Sequence, residues 1–306
     1  MQILSLFNGM SIGKMALETL GAPVTKYYSS EIDKYANQAT QTLFPDTIQL
    51  GDVTRWREWA IDWASIDLVT GGFPCQAWSM VGNQLGDKDE RGMLFWNMLD
   101  IMKHVKQHNP EANFLIENVK MKKEFEQYIT MHTENALGKV HKILINSALV
   151  SAQNRNRYYW TSFEVKQPED KDLLLHDIVE NKVPSKFTLS NKMMNGFYNK
   201  KGDFGKRFKP LIIGETAKAN TLTARYFKMA ITDNYIKIGT TRSNGYGVNT
   251  RKLTPRECFR LQTVPEQHID TLLNAGISNT QLYKMCGNSW THDVIVHILK
   301  TLDKEL

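Results

Sequence analysis

Ile66-Asp67-Leu68-Val69-Thr70-Gly71-Gly72-Phe73-Pro74-Cys75-Gln76-Ala77-Trp78-Ser79 decides the fold. The run from Ile66 to Thr70 has the length and apolar content of a buried strand. Two glycines and a proline then force a sharp exit, and Cys75 stands at the strand's C-terminal end. In an open α/β sheet that edge collects ligands and reacting groups. A lone cysteine is ordinarily a small buried hydrophobe. On a Pro-Cys turn followed by a polar, glycine-containing segment it is instead presented outward, so Cys75 reads as a nucleophile.

Upstream, the same pattern of strand, turn and polar end residue recurs. Ile3 to Phe7 is strand-like, Asn8-Gly9-Met10-Ser11-Ile12-Gly13 breaks it, and a helix follows through Leu20. This is the opening of a nucleotide-cofactor fold, in which a helix N-terminus accepts a polar ligand. The G-x-G-x-x-G signature is absent, which argues against a phosphate-binding loop. Tyr27 to Ser30 forms a second strand ending in Glu31. A carboxylate there suits ribose hydroxyls, an exposed helix-start glutamate being the alternative. Ala36 to Phe44 reads as a helix and Thr47 to Leu50 as a third strand, ending in Gly51-Asp52-Val53. Asp52 could take an adenine amino group or cap the turn before Trp56.

Downstream of Cys75, the polar stretch from Met80 to Gly92 is too long for a simple connection and reads as a lid. Leu94, Met98, Ile101 and Val105 recur at helical spacing. Phe114 to Ile116 is a fifth strand, and Glu117, on the same sheet edge as Cys75, is a candidate general acid. Val140 to Leu149 supplies another strand or two. Gln153, Arg155 and Arg157 alternate, so on an extended segment they share one face. Such a row suits a planar polar substrate or a phosphate; a solvated edge strand is the other reading.

The 306 residues carry a net charge of +6, but unevenly. Between Lys182 and Arg260 there are 17 Lys and Arg against 4 Asp and Glu, a local +13 that leaves −7 for the rest. Aromatics are interleaved there, among them Phe197, Phe208, Tyr226 and Tyr246. The asymmetry points to a polyanion, with nucleic acid the leading candidate. Three widely spaced cysteines (Cys75, Cys258, Cys286) argue against a disulfide framework and a metal site. No apolar run is long enough to span a bilayer. An intracellular, cytoplasmic protein is expected. The organisation expected is an α/β domain over 1–164, an irregular basic lobe over 165–250, and a helical return to the first domain over 251–306. In that last stretch Val294, Ile295, Ile298, Leu299 and Leu302 form an apolar stripe.

Taken in order, these motifs resemble the C5-cytosine DNA methyltransferases over nearly the whole chain. The resemblance rests on Phe7-Asn8-Gly9, Glu31, Asp52-Val53, Pro74-Cys75-Gln76, Arg91-Gly92-Met93-Leu94-Phe95 and Glu117-Asn118-Val119. It continues through Gln153-Asn154-Arg155-Asn156-Arg157, the run Arg251 to Glu257 with Arg260-Leu261-Gln262, and Gly287-Asn288-Ser289. Two departures stand out: Ser11 and Ile12 replace glycines of the family's cofactor turn, as in the eukaryotic de novo enzymes, and Trp290 follows Gly287-Asn288-Ser289.

The resemblance implies a Rossmann-like S-adenosylmethionine-dependent methyltransferase sheet with helices on both faces and a smaller target-recognition lobe. It implies that Cys75 adds to C6 of a flipped cytosine and that Glu117, protonated, holds N3 and the exocyclic amine. Arg157 would bind O2, while Arg155 and Gln153 organise the pocket. Phe7, Asn8, Gly9, Ser11, Glu31, Ile32, Asp52, Val53, Pro74, Leu94, Asn288 and Ser289 would hold S-adenosylmethionine. Gln76, Ser79, Arg91, Thr221, Leu222, Arg225 and Arg242 would meet double-stranded DNA, with Asn244 a further base reader. No metal is implied. A monomer is expected, in a bacterium or a phage-infected cell, with a cognate restriction enzyme as a companion the sequence leaves open. The rivals are a transfer-RNA cytosine methyltransferase, whose Cys-Phe-Thr tripeptide is absent, a catalytically dead DNA-binding module, and a nicotinamide oxidoreductase, which lacks its glycines.

Overall fold

The computed structural model describes residues 1–74, 92–199, 211–212, 218–238 and 250–302. Contacts group the chain into two compact units. The first comprises Met1–Asn146, Asn156–Pro168 and Val294–Leu306; the second, Ser147–Arg155 and Glu169–Asp293.

Unit 1 is built on a seven-stranded sheet. Its elements in chain order are β1 (Gln2–Leu6), α1 (Ile12–Thr19), β2 (Lys26–Ser30), α2 (Lys34–Leu43), β3 (Ile48–Gln49), β4 (Ile66–Gly71), α3 (Met93–His108), β5 (Asn113–Val119), α4 (Lys123–Leu137), β6 (His141–Asn146) and β7 (Asn156–Thr161). The strand order is β3-β2-β1-β4-β5-β7-β6. Strands β1 to β5 pair in parallel, and β7 runs antiparallel to both neighbours. The chain steps outward from β1 through β2 to β3, then restarts at β4 on the other side of β1. Right-handed crossovers stepping in opposite directions put helices on both faces, and the reversal between β1 and β4 is the switch point where ligands bind.

The core explains why these segments are strands and helices. Leu4, Leu6, Val69, Phe114 and Ile116 from the sheet pack with Phe95, Met98, Ile101 and Val105 of α3. Those α3 residues recur at helical spacing on one buried face. Gly71 gives room to the Met98 side chain of α3, since a Cβ there would stand 2.9 Å from the Met98 sulfur. The stripe Val294, Ile295, Ile298, Leu299 and Leu302, on the C-terminal helix His292–Leu302, is buried.

Unit 2 contains α5 (Leu175–Ile178), α6 (Asn191–Asn199), β8 (Leu211–Ile212), β9 (Tyr235–Lys237), β10 (Thr250–Lys252), α7 (Pro255–Leu261), α8 (Glu266–Asn274) and α9 (Asn279–Asn288). The strands form a small sheet in the order β10-β9-β8. Thr254 and Glu257 cap α7 reciprocally, with Pro255 at its first turn. Glu257, fully buried, makes a two-bond ion pair with Arg251 at 2.7 Å for each bond. Residues 251–293, expected to rejoin the first domain, group by contact with 169–250; only the segment from Val294 groups with unit 1.

Candidate active site

The C-terminal edge of the unit 1 sheet gathers the residues singled out near the N-terminus. After β1, the backbone turns through left-handed conformations at Phe7 (φ 54°), Gly9 (φ 57°) and Ser11 (φ 65°). Such conformations are costly for residues other than glycine. At Ser11 a polar brace offsets the cost. Its hydroxyl lies 2.9 Å from the Thr40 hydroxyl and accepts from Asn8 Nδ2 at 2.7 Å. Asn8 accepts in turn from the Tyr27 hydroxyl, and Thr40 donates to the Gly9 carbonyl. The departure from the family's glycine pattern is therefore accommodated, through a helix α2 residue whose part nothing in the local sequence announces.

Glu31, just past β2, has its carboxylate fixed by backbone. One oxygen accepts from Gly9 N–H at 2.9 Å, the other from Ile32 and Asp33 N–H at 2.8 Å each. Next to it Ile32 is 77% exposed, an unusual position for a large aliphatic side chain. Helix α1 has no side-chain cap at its N-terminus. Asp52 caps the short turn Val53–Glu58, accepting from the N–H and hydroxyl of Thr54 at 2.9 Å each. Val53 is buried and Leu94 half-buried against the core.

Strand β4 delivers the chain to Phe73 and Pro74. Phe73 is buried, and its carbonyl accepts from Asn118 Nδ2 at 3.1 Å. Asn118, itself buried on β5, thus pins the turn two residues before Cys75. Cys75, Gln76, Ser79, Arg91 and the expected lid lie outside the described residues, as do Arg242 and Asn244. The other two thiols are described. Cys258 and Cys286 are fully buried, and burial pushes both well above the usual thiol range. Neither can serve as an accessible thiolate.

Glu117 lies within β5, which continues to Val119 because the antiparallel partner β7 extends the pairing beyond Ile116. In that register Glu117 faces Tyr159 and Val119 faces Arg157. Glu117 and Arg157 are therefore diagonal neighbours on one face of the sheet. Arg157 Nε sits 3.0 Å from Glu117 Oε1, both side chains being largely buried. Carboxyl and guanidinium converge on one place, which presents a donor fork and a carboxyl group side by side.

Gln153 and Arg155 have a different task from Arg157. Both are buried in unit 2. Gln153 forms an isolated parallel bridge with Ala219. Its Oε1 accepts from Leu222 N–H at 2.6 Å, and its Nε2 donates to the Leu261 carbonyl. Arg155 donates to the carbonyls of Leu222 at 3.0 Å, Gly287 at 3.1 Å and Ser289 at 2.8 Å. Thr221 donates to the Asn154 carbonyl. Asn234, which the sequence did not single out, grips Asn220 by both its N–H and its carbonyl at 2.8 Å. Leu222 is buried, while Thr223 and Arg225 are exposed. Asn288 is exposed at the end of α9 and Ser289 is buried.

Among the described residues no group of three or more His, Cys, Asp or Glu could hold a metal ion. No described helix is long and apolar enough to cross a membrane. The chain matches the family model of C-5 cytosine-specific DNA methylase over residues 1–304. It is 33% identical to type II methyltransferase M1.ScrFI of Lactococcus lactis subsp. cremoris, over 92% of this chain and 74% of that one. It is 32% identical to type II methyltransferase M.NlaX of Neisseria lactamica, over 100% and 96%. Among solved structures, the Entamoeba histolytica methyltransferase EhMeth superposes with a TM-score of 0.75 at 17% identity, over 99% of this chain and 98% of that one. With the edge residues of β1, β2 and β5 arranged as described and the match running almost end to end, this chain belongs to the C-5 cytosine-specific DNA methylases.

Proposed function

We propose that this DNA cytosine-5 methyltransferase works through Cys75, Glu117 and Arg157, and that it is the modification enzyme of a type II restriction system. The observation that carries the site assignment is the Glu117–Arg157 pair on β5 and β7, beside a β4 exit pinned by Asn118. The two buried thiols leave Cys75 as the candidate nucleophile.

C5 of cytosine is a weak nucleophile, so the ring must be activated. The Cys75 thiolate adds to C6, and the displaced ring electrons make C5 nucleophilic. Glu117 gives a proton to N3 and accepts from the exocyclic amine, while Arg157 donates to O2, so charge developing on the ring is met by fixed partners. When the C5 proton leaves, its electrons restore the ring double bond and expel Cys75 as thiolate, and N3 returns its proton to Glu117. A base inside a duplex is out of reach of these groups, so the target is flipped out of the stack.

S-adenosylmethionine, the family's cofactor, supplies an electrophilic methyl group. The residues of unit 1 fit it. The exposed Ile32 side chain offers an apolar platform for adenine. The amide-fixed Glu31 carboxylate can accept ribose hydroxyls. The uncapped N-terminus of α1 suits the carboxylate of the amino acid part. Phe7, Asn8, Gly9, Ser11, Asp52, Val53, Pro74 and Leu94 complete the set in unit 1, and the family resemblance adds Asn288 and Ser289. Gln153 and Arg155 act as positioning residues through backbone groups. The segment from Thr221 to Arg225 meets DNA, in a recognition lobe over 165–250 joined by Arg242. The type II names of the relatives support a cognate restriction enzyme. Action as a monomer, in the cytoplasm of a bacterial or phage-infected cell, completes the proposal.

The experiment is transfer of labelled methyl from S-adenosylmethionine to duplex DNA and, in parallel, to transfer RNA, with Cys75→Ser as control. Labelling of DNA as 5-methylcytosine, abolished in Cys75→Ser, is expected, and bisulfite sequencing then maps the site. Labelling of transfer RNA alone, or undiminished labelling by the variant, overturns the reading.

A further inference from the structure

Gly287 occupies the last turn of α9 and is buried. It is not one of the glycines with positive φ, so backbone conformation does not call for glycine there. Contact does. A Cβ on Gly287 would overlap the Thr223 carbonyl group and the Ala224 nitrogen. These are backbone atoms, which cannot step aside as the flexible Met98 side chain can beside Gly71. The segment from Asn220 to Arg225 is therefore laid directly on the backbone of α9.

The same segment is gripped on its other bonds. Leu222 gives its N–H to Gln153 and its carbonyl accepts from Arg155. The second arm of Arg155 holds the carbonyls of Gly287 and Ser289, so one guanidinium fastens the segment to the helix end. Downstream, the buried Tyr226 ring packs on Tyr283 of α9, and its hydroxyl donates to the Asn234 carbonyl and accepts from Leu253 N–H. With Leu222 and Tyr226 anchored inward, Thr223 and Arg225 are the residues left facing solvent.

We propose that Gly287 is a positioning residue for target recognition. By admitting the backbone of 223–224 against α9, it sets the depth at which Thr223 and Arg225 are presented to DNA, and it touches no DNA itself. This assigns Gly287 to the recognition segment, whereas its neighbours Asn288 and Ser289 are assigned to the cofactor. The inference rests on the reading of the chain as a DNA methyltransferase acting through Thr221 to Arg225.

The test is Gly287→Ala in the full chain, assayed on a duplex carrying the mapped methylation site. A displacement of about 1 Å in a positioning element costs on the order of 10²-fold in rate. That loss in kcat/KM is expected to be carried by KM for DNA, with relaxed discrimination against duplexes altered at one base pair. The Kd for S-adenosylhomocysteine is expected to stay within about twofold, as for a change away from that ligand. A merely structural role would lower the active fraction and kcat while leaving KM for DNA and site preference alone; that result overturns the proposal. Arg155→Lys keeps the charge but loses the planar fork, and should reproduce the KM signature. If Gly287→Ala does not fold and Arg155→Lys retains the wild-type KM and site preference, the proposal fails. Absence of methyl transfer to DNA by the wild-type chain is a separate outcome, which removes the functional reading and this inference with it.

Discussion

Replacing Glu117 by glutamine separates the chemistry of the β5–β7 pair from its contribution to folding. The substitution keeps the shape of a residue that is 9% exposed, and an amide oxygen can still accept from Arg157 at the 3.0 Å position. What changes is the charge and the acidic proton. A hydrogen bond to a charged group contributes about 1.5–3 kcal/mol and a neutral one about 0.5–1.5. The side chains of Arg157 and Glu117 are 13% and 11% exposed, so solvent screens the charge left behind and the expected loss of stability is about 1 kcal/mol. For the reaction, removing a positioned general acid costs about 10²–10⁴-fold, or roughly 3–5 kcal/mol of barrier at 1.36 kcal/mol per decade. The catalytic loss should exceed the folding loss severalfold. Single-turnover methyl transfer at saturating DNA and S-adenosylmethionine, alongside a thermal melt, measures the two separately. A rate within about threefold of wild type would refute the assignment of Glu117 as the proton donor. A defect removed entirely by raising the DNA concentration would make Glu117 a binding residue.

Two further expectations concern unit 2. Glu257→Gln takes away the charge and one of the two acceptors that Arg251 uses, both side chains being almost wholly buried, and leaves the guanidinium charge uncompensated. It should cost about 3–5 kcal/mol, read as a lower urea midpoint; a loss below about 1 kcal/mol would contradict this account of the pair. Burial pushes the Asp233 carboxyl up to about 6 from 3.8, against the opposing effects of the Ala230 N–H and Arg225. The folded chain thus holds this proton more tightly than the unfolded one. Its stabilising contribution is present in full below 3.8 and is lost as the pH rises through 6. Asp233→Asn should lose less stability than wild type between those two pH values in urea unfolding, and parallel pH profiles would refute it.

Strands β2 to β4 are legible from the residues that end them, Glu31 after β2, Gly51 after β3 and Gly71 at the end of β4. Less legible was how they assemble. β7 enters between β5 and β6 through pairings remote in sequence, and this insertion brings Arg157 beside Glu117. Alternation alone put Gln153, Arg155 and Arg157 in one row. Their partners differ, because Gln153 and Arg155 precede β7 and spend their polar groups on the backbone of 222, 261, 287 and 289. The brace between Ser11 and Thr40 was invisible for the same reason, since it joins residues 29 positions apart. Asn118 belongs to the motif Glu117-Asn118-Val119, yet its bond to Phe73 depends on β4 and β5 being neighbours. The helices after residue 250 are legible as helices, but not what they hold: Tyr283 of α9 and Tyr226 both bond Leu253, through hydrogen bonds no periodicity reveals.

The excursion from Ser147 to Arg155, nine residues spelled between β6 and β7, belongs by contact to the other unit. Ala152 and Asn154 exchange backbone hydrogen bonds with Ala219, so this short piece is the template on which the segment leading to Thr223 is hung. Recognition units are commonly imagined as cassettes. On the proposed function, the cassette here has two parts, and the smaller one is spelled in sequence between two strands of the sheet. A chimera that exchanged only 169–293 would import the segment from Ala219 to Arg225 without the backbone and side chains that seat it. New specificity in this framework therefore has to arise either by changing the outward residues on a retained seat, or by replacing both pieces together.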